Sequence, residues 1–237
     1  MLIRHILIIT LAACATALNA QNKPAQVRLT ALSLNARILD LKYESQGKVG
    51  SLHAYKNKRS KAFDYTGPRT ITFFRESGAL DEDGNPVRTT VATCKLPSKR
   101  GQFLLILSKL DKNKEAYTIL PIADDWDQFK SGTYRFLNLA PFDIALKLKD
   151  TVHTIKERNF TDVSGDFKDD SNQKAIMVSL PDGENPVRVF EGYIYYTEEL
   201  RMLYIITPKP GNRAGRVNFI AVPQNVNSRQ TTSKQKN

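Results

Sequence analysis

Few residues in this chain carry reactive chemistry. Beyond residue 20 there are two histidines, His53 and His153, and one cysteine, Cys94. The histidines sit in similar words, LHAYK (residues 52–56) and VHTIK (152–156), which reads as one structural position repeated and not as two halves of a site. Cys94, in VATCKL, reads as a small buried hydrophobe. There is no nucleophile elbow, no H-E-x-x-H helix and no paired-Cys metal spacing, and Gly47-Lys48 lacks the upstream glycine of a phosphate loop. The segment TDVSGDFKDD brings Asp162, Asp166, Asp169 and Asp170 close in sequence. Hard oxygen donors suit calcium, but the EF-hand spacing is missing, and a solvated acidic loop is the expectation. Asn159-Phe160-Thr161 is a glycosylation sequon by pattern alone. These residues predict no catalytic centre, no cofactor and no metal.

Binding residues are more plentiful. Lys56, Lys58, Arg59 and Lys61 crowd one segment, and Lys95, Lys99 and Arg100 another. If both converge on one surface, their summed field attracts acidic glycans, lipopolysaccharide or lipid head groups. Tyr193, Tyr195 and Tyr196, in GYIYY, form a candidate aromatic platform for sugar rings, although strands of this kind also turn alternate aromatics inward. Trp126, the only tryptophan, is flanked by Asp124, Asp125 and Asp127 and reads as a packing residue of a domain connector.

The chain that must position these groups has 237 residues, with 35 basic and 24 acidic side chains and a net charge of +11. Residues 1–20 read as a secretory leader: Arg4, then an apolar run from Ile6 to Ala13, then small residues. That run is too short to span a bilayer as a helix. Two processing routes fit. Ala15-Thr16-Ala17 and Ala20 offer signal-peptidase sites, whereas Leu11-Ala12-Ala13-Cys14 resembles a lipobox that would place a lipid on Cys14. Either route puts the protein in a bacterial periplasm or on the cell surface, where nucleic acid is not an expected partner. A membrane then enters only through the candidate anchor at Cys14. With Cys14 removed or lipidated, no internal disulfide can form.

The periodicity is that of strands. ILDLKY alternates Leu39, Leu41 and Tyr43 with Asp40 and Lys42; IALKLK alternates Ile144, Leu146 and Leu148 with Lys147 and Lys149; AIMVSL sets Ile176, Val178 and Leu180 on one face. FLLIL (103–107) and MLYII (202–206) are unbroken apolar runs, as in central strands covered on both sides. No window sustains a helical stripe. Strands are expected at 27–34, 37–43, 50–56, 69–75, 87–96, 102–109 and 116–123, then at 133–139, 143–149, 151–156, 174–180, 186–197, 201–207 and 216–222. The predicted fold is all-β, two tandem immunoglobulin-like sandwiches at 21–124 and 133–223, joined by a linker at 125–132. A disordered basic tail is expected at 224–237.

A repeated turn supports internal duplication. DEDGNPVR (81–88) returns as PDGENPVR (181–188), and a shift of one hundred residues runs without a gap from Asn85 to Ile122. That shift lays FLLIL on LYIIT and YTILPI on VNFIAV, while earlier VRLTAL (27–32) matches YRFLNL (134–139). Asp-Gly supplies the positive backbone dihedral of a tight hairpin, and Asn-Pro stops the turn from becoming helix.

In overall plan, a basic exported protein of two tandem sandwiches resembles the periplasmic pilus chaperones, and Arg28 in the first strand is similar to the strand-borne arginine that anchors a subunit's terminal carboxylate in that family. The resemblance implies binding of partner strands at a sheet edge. YTILPIADD does not carry that family's Asn-x-Arg-x-hydrophobic-Pro pattern, so no functional residue carries over. The reading from the residues themselves is a non-catalytic binding or structural module of the envelope, for an anionic glycan or a protein partner. A chaperone-like protein, or a carbohydrate-binding module of an exported enzyme system, is the alternative.

Overall fold

The computed structural model describes residues 23–110, 115–164, 167–182, 184–209, 211 and 215–226. The leader, Cys14, Asp166, Gly183 and residues 227–237 lie outside them. No described residue is helical, and so no helix there is long and apolar enough to cross a membrane. The described residues form two compact units: one holds those from 23 to Ala54 and from Ser60 to Ala123, and the other holds Tyr55–Arg59 and those from Asp124 to 226.

Each unit is an eight-stranded sandwich. The first contains β1 (Ala25–Ser33), β2 (Ile38–Ser45), β3 (Lys48–Ala54), β4 (Phe63–Gly67), β5 (Thr70–Leu80), β6 (Pro86–Lys95), β7 (Arg100–Lys109) and β8 (Tyr117–Ala123). The second contains β9 (Tyr134–Asn138), β10 (Asp143–Leu148), β11 (Thr151–Ile155), β12 (Phe160–Val163), β13 (Ser171–Leu180), β14 (Val187–Tyr196), β15 (Leu200–Pro208) and β16 (Val217–Asn225). The first unit stacks sheet β4-β1-β7-β8 on sheet β3-β2-β5-β6; the second stacks β12-β9-β15-β16 on β11-β10-β13-β14. The two orders are identical, strand for strand. Even the single parallel pair recurs, β1 with β7 and β9 with β15. Within this layering the first two strands fall in opposite sheets, whereas the immunoglobulin order pairs them in one.

The expected strands are present, and two more join them. β4 and β12, the fourth strand of each half, escape a sequence reading because FDYTG and FTDV are short and carry an Asp. Both are edge strands, where brevity and charge limit unwanted pairing. β16 continues to Asn225, beyond the expected start of the tail, because Arg201 holds Gln224 through Oε1.

Each unit closes on its own core. Leu29, Leu41, Phe73, Leu105 and Tyr65 anchor the first, while Phe136, Leu146, Met177, Tyr204 and Ile206 anchor the second. Each such side chain contributes roughly 1.5–3 kcal/mol of burial. The alternation in ILDLKY is interrupted by a bulge at Asp40, whose φ of 54° lies in the left-handed region. The face therefore switches: Ile38 and Leu41 are buried, and Leu39, expected inside, is 41% exposed. The bulge is held by Asp40 Oδ1, which accepts from Ser51 and Lys42, and by the Asp40 N–H, which donates to His53 Nδ1.

Ladder geometry corrects the repeat alignment by one residue. Leu34 N–H donates to Leu107 O, and Leu139 N–H to Ile206 O, at 2.9 and 2.8 Å. These matching bonds equate Leu107 with Ile206, a shift of 99, whereas a shift of 100 would flip β15 to its other face. The histidines are not equivalent either. His53 points outward between inward Leu52 and Ala54, whereas His153 pairs with Leu146 on the inward side of β11. Asp83-Gly84 and Asp182 do occupy the same hairpin, β5–β6 in one half and β13–β14 in the other.

Candidate functional site

Sheet β11-β10-β13-β14 turns Ile144, Leu146, Leu148, Ala175, Met177, Ile194 and Tyr196 into the second core. The alternate residues of these strands form its outer face. AIMVSL thus points its larger apolar set outward: Ile176 and Val178 are half-buried there and Leu180 is 38% exposed, while the smaller Ala175 and Ser179, with Met177, face in. Paired residues build rows across the face. One row is Val152, Lys147, Ile176 and Glu191; the next sets Lys174 beside Tyr193, and then Asn172 beside Tyr195. Tyr193 is 70% exposed, Val152 62% and Tyr195 47%. Residues two apart on one strand lie about 7 Å from each other, so the tyrosines form a short aromatic ledge on edge strand β14.

The surroundings of the ledge are polar and of mixed charge, with Lys174 beside Tyr193 and the carboxylates of Asp169, Asp170 and Glu199 near Tyr195. The Tyr195 hydroxyl donates to Asp170 Oδ1 at 2.7 Å, and that bond to a carboxylate is the main reason its pKa is raised. Tyr134 Oη donates to the Tyr195 carbonyl at 2.7 Å and so ties the strand to the core. Glu191 pairs with Arg188 at 2.7 Å and lies 3.7 Å from Lys174, and Lys147 stands in the same row two strands away, beyond Ile176. The face combines an exposed aromatic ledge with cations beside Tyr193 and carboxylates beside Tyr195.

The residues singled out from sequence divide in the structure. Tyr193 and Tyr195 share the face; Tyr196 turns inward and packs edge-on against Tyr134, which reduces the platform to two rings. Lys56 and Lys58 are exposed on the Tyr55–Arg59 segment of the second unit, and Lys61, Lys95 and Arg100 are exposed in the first, where Lys99 is half-buried. Within the first unit the basic residues do not converge. Ser60 bonds to Ala31 and the Lys99 carbonyl to Gln26, at opposite ends of β1 and on the order of 16 Å apart along the strand. Arg59 is no surface cation. Its side chain is 9% exposed and its Nη1 donates to Asp124 Oδ2 at 2.5 Å. Arg28 pairs with Asp64 at 3.2 Å.

The acidic loop is occupied by protein contacts. Asp162 takes Arg135 through both oxygens, at 2.7 and 2.6 Å; Asp169 accepts the Glu198 N–H; Asp170 takes Tyr195. Among the described residues no three His, Cys, Asp or Glu side chains are placed to hold a metal ion. Cys94 is buried in the first core, and desolvation pushes its thiol up to about 11, which leaves it protonated and unreactive at neutral pH.

Sequence reasoning missed a buried arginine cluster in the second unit. Arg201, 1% exposed, donates through Nη1 to the carbonyls of Asp124 and Phe129 and through Nε and Nη2 to Gln224, and its Nη2 lies 3.2 Å from Asp124 Oδ2. Its guanidinium stacks 3.8 Å from the Trp126 ring, and that of Arg135 lies 4.4 Å from both Phe129 and Phe160. Burial lowers the Arg201 pKa to about 10, against the attraction of Asp124, and the side chain stays charged at pH 7. An Arg at the head of an apolar run reads from sequence as a solvated flank, so no pattern signalled it. Compared with known protein families and with curated proteins, the sequence matches none.

Proposed function

We propose that this chain is an exported bacterial envelope protein that acts as a non-catalytic binding module and takes an acidic glycan on the outer face of sheet β11-β10-β13-β14. The observation that carries the reading is the pair Tyr193 and Tyr195, projecting from one face beside Lys174, with Lys147 and Arg188 on the same sheet. Sugar rings present C–H faces that stack on such ledges, and carboxylate or phosphate substituents pair with the flanking cations. Export rests on the leader pattern of residues 1–20 and accords with the basic balance of the chain.

The test is titration of the mature chain with polygalacturonate and with lipopolysaccharide at several salt concentrations. Affinity falls steeply as salt rises, because several charges act together over a screening length of about 10 Å at 0.1 M. Tyr193→Ala with Tyr195→Ala weakens binding about tenfold or more, each stacked ring contributing on the order of 1 kcal/mol. Lys174→Gln reduces the salt dependence. Binding that survives the tyrosine pair unchanged removes this face as the site. For export, N-terminal sequencing of the processed form should begin between Cys14 and Gln21, and fatty-acid labelling lost in Cys14→Ser selects the lipoprotein route.

A further inference from the structure

The equivalent face of the first unit, the outside of sheet β3-β2-β5-β6, carries a shallow depression of about 290 Å³. Its lining is Thr70, Thr72 and Thr90 with Glu44, Arg88 and Phe74, bordered by Tyr65 and Pro68. The volume is at the low end of small-molecule sites, which run from about 300 Å³, and suits one ring in place of a chain. The three threonine hydroxyls have no protein hydrogen-bond partner among the described residues, and each offers one donor and two acceptor positions. Arg88 is fixed above them: Nη1 pairs with Glu44 at 2.6 Å, Nε with Glu76 at 3.2 Å, and the guanidinium lies 4.5 Å from the Phe74 ring. Glu44 and Glu76 surround Arg88, while Lys95 stands opposite Thr70 and Lys42, paired with Asp40, stands opposite Phe74, so the charges of this neighbourhood balance.

We infer that this depression is a second binding site, for a neutral pyranose residue. Closely set hydroxyls exchange hydrogen bonds with sugar hydroxyls. The Arg88–Glu44 pair adds a charged donor and acceptor, and the balanced charge of the surroundings gives a neutral sugar no disadvantage against uronic acids and phosphates. The inference stands on the first unit alone and does not depend on the acidic-glycan reading.

The experiment is amide NMR on the full mature chain, titrated with neutral cellotetraose, maltotetraose and diacetylchitobiose and with an oligogalacturonate. At least one neutral sugar should shift the amides of Thr70, Thr72, Arg88 and Thr90 saturably. Thr72→Val with Thr90→Val, which keeps the branched shape and removes two hydroxyls, should weaken that binding roughly fivefold or more with the rest of the spectrum unchanged. Tyr193→Ala with Tyr195→Ala should leave it intact. The inference is overturned if no neutral sugar gives saturable shifts by about 10 mM. It is equally overturned if the valine pair binds as well as the parent, if the oligogalacturonate binds here as tightly, or if the tyrosine pair abolishes the response.

Discussion

Replacing Asp124 with Asn should destabilise the second unit out of proportion to a change of one atom. Asp124 Oδ2 lies 2.5 Å from Arg59 Nη1 and 3.2 Å from Arg201 Nη2, and the three side chains are only 6%, 9% and 1% exposed. Asn keeps the shape but removes the sole carboxylate bonded to both guanidiniums. A unit pair at 4 Å is worth about 4 kcal/mol at an effective dielectric near 20, and two such attractions are lost. The amide, cheaper to bury than a carboxylate, returns part of this. Breaking a buried pair usually costs about 3–5 kcal/mol. Arg59 Nε and Nη2 and Asp124 Oδ1 have no protein hydrogen-bond partner, so the native pairing is incomplete and the lower part of that range is expected. For a unit of this size the corresponding fall in Tm is on the order of 10 °C. Trp126 stacks on Arg201 and is the only tryptophan, so its fluorescence during urea unfolding reads this cluster directly. Asp64→Asn is the control: the Asp64 side chain is 81% exposed, and loss of its pair with Arg28 should cost under about 1 kcal/mol. A loss below about 1 kcal/mol for Asp124→Asn, no larger than the control, would refute the assignment of a buried triad.

Three further outcomes follow from single sites. Cys94, with its thiol pushed up to about 11, should resist a thiol reagent at pH 8 in the native protein and react at the rate of unfolding; prompt labelling would contradict its burial. Asp143 is held below the ordinary carboxylate pKa of 3.8, first by Lys156 at 2.7 Å and then by the Glu157 N–H. A depressed folded pKa gives stability that is present above 3.8 and is lost as pH falls through the folded value, so the urea midpoint should be level from pH 5 to 8 and drop below 4, less so in Asp143→Asn. Gly84 has a φ of +81°, and a Cβ added there would meet nothing within 4 Å, so Gly84→Ala should cost only backbone strain, about 1–2 kcal/mol, measured as a shift in urea midpoint.

The fold class was legible because alternation and apolar runs report burial directly. Register was less so. Nothing in ILDLKY marks Asp40 as a bulge, because the bulge is held by Ser51 and His53 on the neighbouring strand, partners that adjacency in sequence does not reveal. The same limit hid which side of β13 faces outward. AIMVSL shows two alternating sets, and the set that faces the core is fixed by the space beneath it, which admits Ala175 and Ser179 and leaves Ile176 and Val178 outside. Charge misled most. YKNKRSK reads as a uniformly solvated cationic stretch, yet Arg59 is withdrawn to meet Asp124, sixty-five positions away.

The two halves show why tandem sandwiches can keep one topology and differ on their outer faces. Inward positions are coupled to each other through close packing, so a change on one strand must be matched on its neighbour: Phe73 and Ala92, paired on β5 and β6, correspond to Met177 and Phe190 on β13 and β14, where the aromatic ring stands on the other strand of the pair. Outward positions on the same strands carry no such coupling. β5 and β6 show Thr70, Thr72 and Thr90 around an arginine neutralised by two glutamates, whereas β13 and β14 show Lys174, Tyr193 and Tyr195 around a glutamate shared by two cations. A surface substitution away from special features costs within about 0.5 kcal/mol, well inside the margin a sandwich of this size can absorb. Aromatic content and the placement of charge could therefore change between the halves while the strand order and the parallel pair stayed fixed.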